Sequence, residues 1–156
     1  MKKVLLAAFV LVGSLSFQQK AAAQVGVNIN IGTQPAWGPT GYNYVQYYYL
    51  PDINCYYSVQ SGQFVYLSKG KWKFAKNLPS QYSNYNLYNM YKVVVNRANP
   101  YLTNAQDVRQ YGQYKGQRSQ PVIRDSKDPT YYQNPGNANY SQWKKQQGKG
   151  NNRKGR

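Results

Sequence analysis

Ile53-Asn54-Cys55-Tyr56-Tyr57-Ser58-Val59-Gln60-Ser61-Gly62-Gln63-Phe64-Val65-Tyr66-Leu67-Ser68-Lys69-Gly70-Lys71-Trp72-Lys73-Phe74-Ala75 is the stretch from which the fold is read. Three short runs rich in aromatic and β-branched residues, Ile53 to Val59, Phe64 to Leu67 and Lys71 to Ala75, are separated by Ser61-Gly62 and Lys69-Gly70. Glycine supplies the positive φ of tight hairpin turns, so the pattern predicts an antiparallel meander. These turns set Leu67 opposite Trp72, Val65 opposite Phe74, Val59 opposite Phe64 and Tyr57 opposite Tyr66. Strand side chains alternate between faces. One face then holds Tyr56, Ser58, Val65, Leu67, Trp72 and Phe74, and is the expected core. The other holds Cys55, Tyr57, Val59, Phe64, Tyr66, Lys71 and Lys73. Two lysines are not tolerated on a fully buried face, so this side is either partly covered by another layer or open as a platform, with Tyr57, Tyr66, Lys71 and Lys73 as candidate binding residues.

Outward from the meander the strand signals continue. Val25, Val27, Ile29 and Ile31 alternate with Gly26, Asn28, Asn30 and Gly32, the period of a half-buried strand. Tyr42 to Leu50 is an extended tyrosine-dense run ended by Pro51-Asp52. The stretch from Gln81 to Asn89 is poor in helix formers and reads as an ordered loop. Lys92 to Asn96, centred on three valines, reads as a strand. A short helix is expected from Asn104 to Tyr111, capped by Thr103 or Asn104 and stopped by Gly112, with Ala105, Val108 and Tyr111 as its apolar side. The fold class is therefore mainly β: a small antiparallel meander domain, residues 24–112, with at most one short helix.

Composition changes after Gly112. Residues 113–156 carry ten of the twenty basic residues among Gln, Asn, Gly and Ser. Such a segment has too little to bury to offset its ordering entropy, so it is expected to be a disordered, basic, low-complexity tail. Lys144, Lys145, Lys149, Arg153, Lys154 and Arg156 would be its electrostatic arm, and trypsin should remove it beyond about Arg118.

The N-terminus has a targeting pattern. Lys2 and Lys3 precede an apolar stretch from Val4 to Leu15, and Ala21-Ala22-Ala23 supplies small residues for cleavage between Ala23 and Gln24. The apolar run is shorter than the ~20 residues of a spanning helix, so residues 1–23 are expected to be a cleaved signal peptide with no transmembrane span remaining. The expected address is periplasmic or extracellular. Loss of Lys2, Lys3 and Lys20 takes the net charge from +16 to +13. A charge of that size favours anionic partners.

Catalytic chemistry has few residues to draw on. Histidine and glutamate are absent, which removes an imidazole base, the serine and cysteine triads and the usual zinc ligand sets. The four aspartates are Asp52, Asp107, Asp125 and Asp128, and the only close pair, Asp125 and Asp128, sits beside Arg124 and Lys127 and reads as local ion pairing. One cysteine, Cys55, cannot close an intrachain disulfide and is expected to be a buried thiol. No cofactor, metal site or catalytic residue is called.

The run Tyr48-Tyr49-Leu50-Pro51-Asp52-Ile53, the block Gln63-Phe64-Val65-Tyr66-Leu67 with Gly70-Lys71-Trp72, the segments Leu78-Pro79 and Tyr91-Lys92-Val93-Val94, and Pro100-Tyr101-Leu102 resemble a group of small exported proteins of unknown function from Bacteroidota. The resemblance spans roughly residues 24–130 and implies a bacterial envelope setting, with no activity attached. The expected function is that of a non-enzymatic envelope or matrix protein. Its partners would be an anionic polysaccharide, lipopolysaccharide or another envelope polyanion. Aromatics interleaved with lysines also suit single-stranded nucleic acid, which export places second, and an enzyme of unrecognised type ranks far behind.

Overall fold

The computed structural model describes residues 29–151. The proposed signal peptide, the junction between Ala23 and Gln24, Val25, Val27 and the cations Arg153, Lys154 and Arg156 lie outside these residues. Five strands form one antiparallel sheet: β1 (Tyr47–Leu50), β2 (Cys55–Ser58), β3 (Gln63–Ser68), β4 (Lys71–Ala75) and β5 (Val93–Val95). Their order is β4-β3-β2-β1-β5, so the predicted three-strand meander is extended first by β1, from the tyrosine-dense run, and then by the predicted valine strand.

The turn chemistry explains the register. Lys69 and Gly70 have φ of 50° and 72°, the two left-handed residues of a tight hairpin turn, and they set Leu67 opposite Trp72 and Val65 opposite Phe74 as expected. The β2–β3 pairing differs from the expectation by two residues: Tyr57 faces Phe64 and Cys55 faces Tyr66. Val59 leaves the ladder because its amide donates to the Gln46 carbonyl, while the Gly62 amide closes the turn onto the Ser58 carbonyl. A two-residue shift is one full side-chain period, so the composition of both faces is preserved.

On the first face Tyr49, Tyr56, Val65 and Val95 are buried, with Tyr101 and Tyr111 packed over them. Tyr111 ends the helix α1 (Asn104–Tyr111), whose bounds match the expected segment. Its buried side does not. Ala105 is exposed and Val108 is 43% exposed, whereas Asp107 is completely buried. The helix is held by polar bonds, since Asp107 accepts from the Tyr56 hydroxyl at 2.7 Å and from Arg97 at 2.5 Å, and Asn104 donates to Asn54 at 2.8 Å. The other half of this face is not core either. Leu67 and Phe74 are exposed and Trp72 is half-buried, because β4 is an edge strand.

The second face is the covered one. Leu50, Ile53, Cys55, Phe64 and Met90 form its buried centre, and Trp37, Tyr57, Tyr66, Leu78, Tyr82 and Leu87 pack against it. The covering residues come largely from the ordered loop between β4 and β5. The described end of the predicted N-terminal strand is not a strand: Ile31–Thr33 is a 3-10 turn that buries Ile31.

Order continues beyond Gly112, against the expected tail boundary. Ile31, Ile123 and Tyr131 form a buried cluster, and Pro39 pairs with Val122. Asn134 is buried and its amide donates at 2.7 Å to the carbonyls of Ile31 and Gln34, while Asn137 donates to Ile123. At Gly136 a Cβ would overlap that of Ala36, so glycine allows the close approach. Helix α2 (Tyr140–Asn151) ends the described chain, making two helices where at most one was expected. A segment poor in apolar residues is ordered here because its side-chain amides satisfy carbonyls of a distant loop, a gain that composition does not register.

Removing Asn134 tests this directly. Asn134→Ala strands the Gln34 carbonyl and removes the shorter of two bonds to the Ile31 carbonyl, which keeps the Gln34 amide at 3.3 Å, so it should lower folding stability by ~1–3 kcal/mol in a denaturant titration, whereas an unpacked tail would give no change.

Candidate functional site

The hairpin of β3 and β4 gathers charge by local sequence. Lys69, Lys71, Lys73 and Lys76 are all exposed. Lys71 and Lys73 lie two residues apart on one strand and so project to the same side about 7 Å from each other. Tyr66 stands directly opposite Lys73, with Cys55 next in the same row.

Ion pairing leaves these lysines uncompensated. Arg97 pairs with Asp107, Arg118 with Asp52 at 2.7 Å, and Arg124 with Asp125 at 2.9 Å. Asp128 caps the turn that follows it by accepting from the Thr130 amide at 2.9 Å. Among the described residues the ion pairs thus use arginines and no lysine. Asp125 and Arg124 form the local pair expected from the sequence, with the guanidinium holding the carboxyl below its usual range. Lys127 is not part of it.

Of the four candidate binding residues, the structure brings together Lys71, Lys73 and Tyr66 and sets Tyr57 apart. The Tyr57 ring packs at 4.9 Å from Trp37 and 5.0 Å from Phe64 and is partly buried against the core. Tyr66 is half-buried under the covering layer. An open platform of two tyrosines is therefore replaced by a lysine edge beside one partly covered ring. Lys144, Lys145 and Lys149 are exposed on α2, where Lys144 sits 5.8 Å above the Tyr140 ring.

The neighbouring thiol has no surface role. Cys55 is fully buried, its Sγ donates to the Ile53 carbonyl at 3.4 Å, and burial pushes its pKa up to about 12. Among the described residues no group of three or more His, Cys, Asp or Glu side chains could hold a metal ion, and no helix is long and apolar enough to cross a membrane.

Two features escaped the sequence reading. The first is the network centred on buried Asp107, in which Tyr56 and Asn54 of the sheet meet Asp107 and Asn104 of the helix about 50 residues on and Arg97 closes the ion pair from ten residues away. The available signal was weak: Asp107 lies on the same helix face as Asn104 and Tyr111. The second is Lys92, a charged residue immediately before the three valines of β5. Its side chain is 1% exposed and its ammonium donates to the Leu87 carbonyl at 2.9 Å. Burial lowers its pKa to about 8.

No family model matches the chain, and the comparisons with curated proteins and with solved structures also found no match.

The buried lysine gives a pH signature of known sign. Between about pH 8 and its ordinary 10.5 the unfolded chain holds a proton at Lys92 that the folded one has released, so folding stability should rise with pH across that window. Buried Tyr49, pushed up to about 12 by desolvation and then by Asp107, acts in the opposite sense above pH 10. The difference between wild type and Lys92→Met in denaturant titrations isolates the lysine. It should change by on the order of 2–3 kcal/mol across the window, and a pH-independent difference would show that Lys92 titrates normally.

Proposed function

We propose that this is a non-enzymatic, exported envelope or matrix protein that binds anionic glycans or related polyanions along its lysine-bearing sheet edge. The carrying observation is the set of four exposed lysines within Lys69–Lys76, facing solvent while the aspartates are engaged elsewhere. Exposed, unpaired ammonium groups keep their full field for an incoming polyanion, whereas the paired arginines have most of theirs cancelled locally. An alternating strand spaces its lysines at about 7 Å, a distance a sulfated or carboxylated polymer can meet with successive groups.

A nucleic-acid ligand receives less support. Stacking needs an open ring beside the cations, and the ring nearest Lys73 is partly covered. Polysaccharide binding needs no such ring. The exposed cations of α2 would add a salt-sensitive contribution.

Retention on immobilised dextran sulfate tests the reading. The double variant Lys71→Gln/Lys73→Gln should bind about tenfold or more weakly and with a shallower dependence on salt, because fewer counterions are released. Single-stranded DNA in a parallel column separates the alternative: stronger retention there than on dextran sulfate favours nucleic acid. An unchanged affinity and salt slope in the double variant would remove the hairpin from the reading.

A further inference from the structure

The side of β4 away from Lys71 and Lys73 carries a different surface. Leu67 is 43% exposed and Phe74 is 52% exposed, and with half-buried Trp72 they form one apolar strip. Tyr101 closes the strip, its ring 5.8 Å from Trp72 and 5.5 Å from Phe74. Leu102, next in the chain, is 71% exposed. From the turn before α1 only Tyr101 reaches β4, against Trp72 and Phe74, so Leu67 and Phe74 stay about half exposed and the strip is only partly covered within the described chain.

We propose that this hairpin docks on a lipid surface bearing anionic headgroups, with Leu67, Trp72, Phe74 and Tyr101 entering the interfacial zone and Lys69, Lys71, Lys73 and Lys76 meeting the headgroups. The inference rests on the polyanion reading and narrows its ligand to an anionic amphiphile. A soluble polysaccharide satisfies the lysines and leaves the apolar strip in water. A lipid surface satisfies both, since apolar and aromatic side chains partition into the acyl boundary while long lysine stems reach to the headgroups from the flank of the same strand. Tryptophan and tyrosine rings suit that boundary, with an apolar body and a polar edge.

Charge decides against a second copy of the chain on this edge. Antiparallel pairing of two β4 strands would bring lysines of one close to lysines of the other, with no acidic residue between Lys69 and Lys76 to offset them. A nucleic acid would need cations on the same face as the rings that stack on its bases. On this strand the lysines and the aromatic strip alternate to opposite faces.

Flotation of the whole protein with vesicles provides the test. The probes are vesicles of phosphatidylglycerol with phosphatidylcholine, vesicles of phosphatidylcholine alone, and soluble dextran sulfate. Wild type should float with the anionic vesicles and not with the neutral ones. Leu67→Ser/Phe74→Ser should lose about tenfold or more of its vesicle affinity while keeping its dextran sulfate affinity, with a cooperative thermal melt showing that the variant is folded. Should that variant fail to fold, quenching of tryptophan fluorescence by brominated acyl chains carries the test, and Trp72→Phe should abolish most of it. Binding to dextran sulfate without binding to anionic vesicles overturns the lipid inference and leaves the polyanion reading standing. Vesicle binding that is insensitive to the apolar substitutions and gives no Trp72 quenching also overturns it. Absence of binding to either probe overturns both.

Discussion

Tyr48, Tyr49 and Tyr56 sit completely or almost completely buried at the centre of the sheet, and a phenol taken out of water costs heavily unless its hydroxyl finds a partner. Each hydroxyl recruits one from another part of the chain. Tyr48 donates to Gln34 at 2.7 Å, Tyr49 to Asn54 at 3.0 Å and Tyr56 to Asp107 at 2.7 Å. Those partners are held in turn: Asn134 bonds the Gln34 carbonyl, Asn104 bonds Asn54, and Arg97 neutralises Asp107. A core built from tyrosine instead of leucine thereby draws polar residues from the whole chain inward. The helix α1 and the segment beyond Gly112 are attached to the sheet through that demand.

The same demand organises the charge. With four acidic residues for the whole chain, every carboxylate taken up by an arginine or a helical turn is unavailable to the lysines. Arginine suits these pairs because its planar fork meets a carboxylate with more than one donor, as Arg124 does with both oxygens of Asp125 at 2.9 Å. Among the described residues the lysines remain on the surface with their fields intact, apart from Lys92, which is buried as a structural group and partly gives up its charge. Among the described residues the unpaired basic character is therefore concentrated in lysine, with four of them on and beside the β3–β4 hairpin.

The hairpin combines two surfaces that the sheet cannot hide. As an edge strand, β4 has neighbours on one side only, so the apolar residues alternating with its lysines are half-covered at best. Exposed edges of this kind invite association, and lysines along them are a standard protection against pairing with another strand. Under the proposed function the same charges that protect against like strands would meet an anionic surface, so one row of charges can serve both ends.

Much of the fold was legible in the sequence because it rests on local rules. Lys69-Gly70 specified a two-residue turn through its left-handed conformations, the alternation in β2 to β4 assigned every side chain to its face, and the three valines of β5 and the span of α1 followed from propensity and stop signals. The grouping of Lys71 and Lys73 beside Tyr66 was legible for the same reason. Tertiary structure decided what alternation cannot express. It determined which face is covered, because the cover comes largely from the long loop after β4; it packed Tyr57 against Trp37 and Phe64 and left Phe74 open, because strand order placed β4 at an edge; and it turned the buried side of α1 to Asp107 in place of Val108. It also ordered residues beyond Gly112. Local sequence sets conformations within a turn or a strand period, whereas burial depends on which distant segment supplies the partner for each polar group, and in a core of tyrosines those partners are scattered over the whole chain.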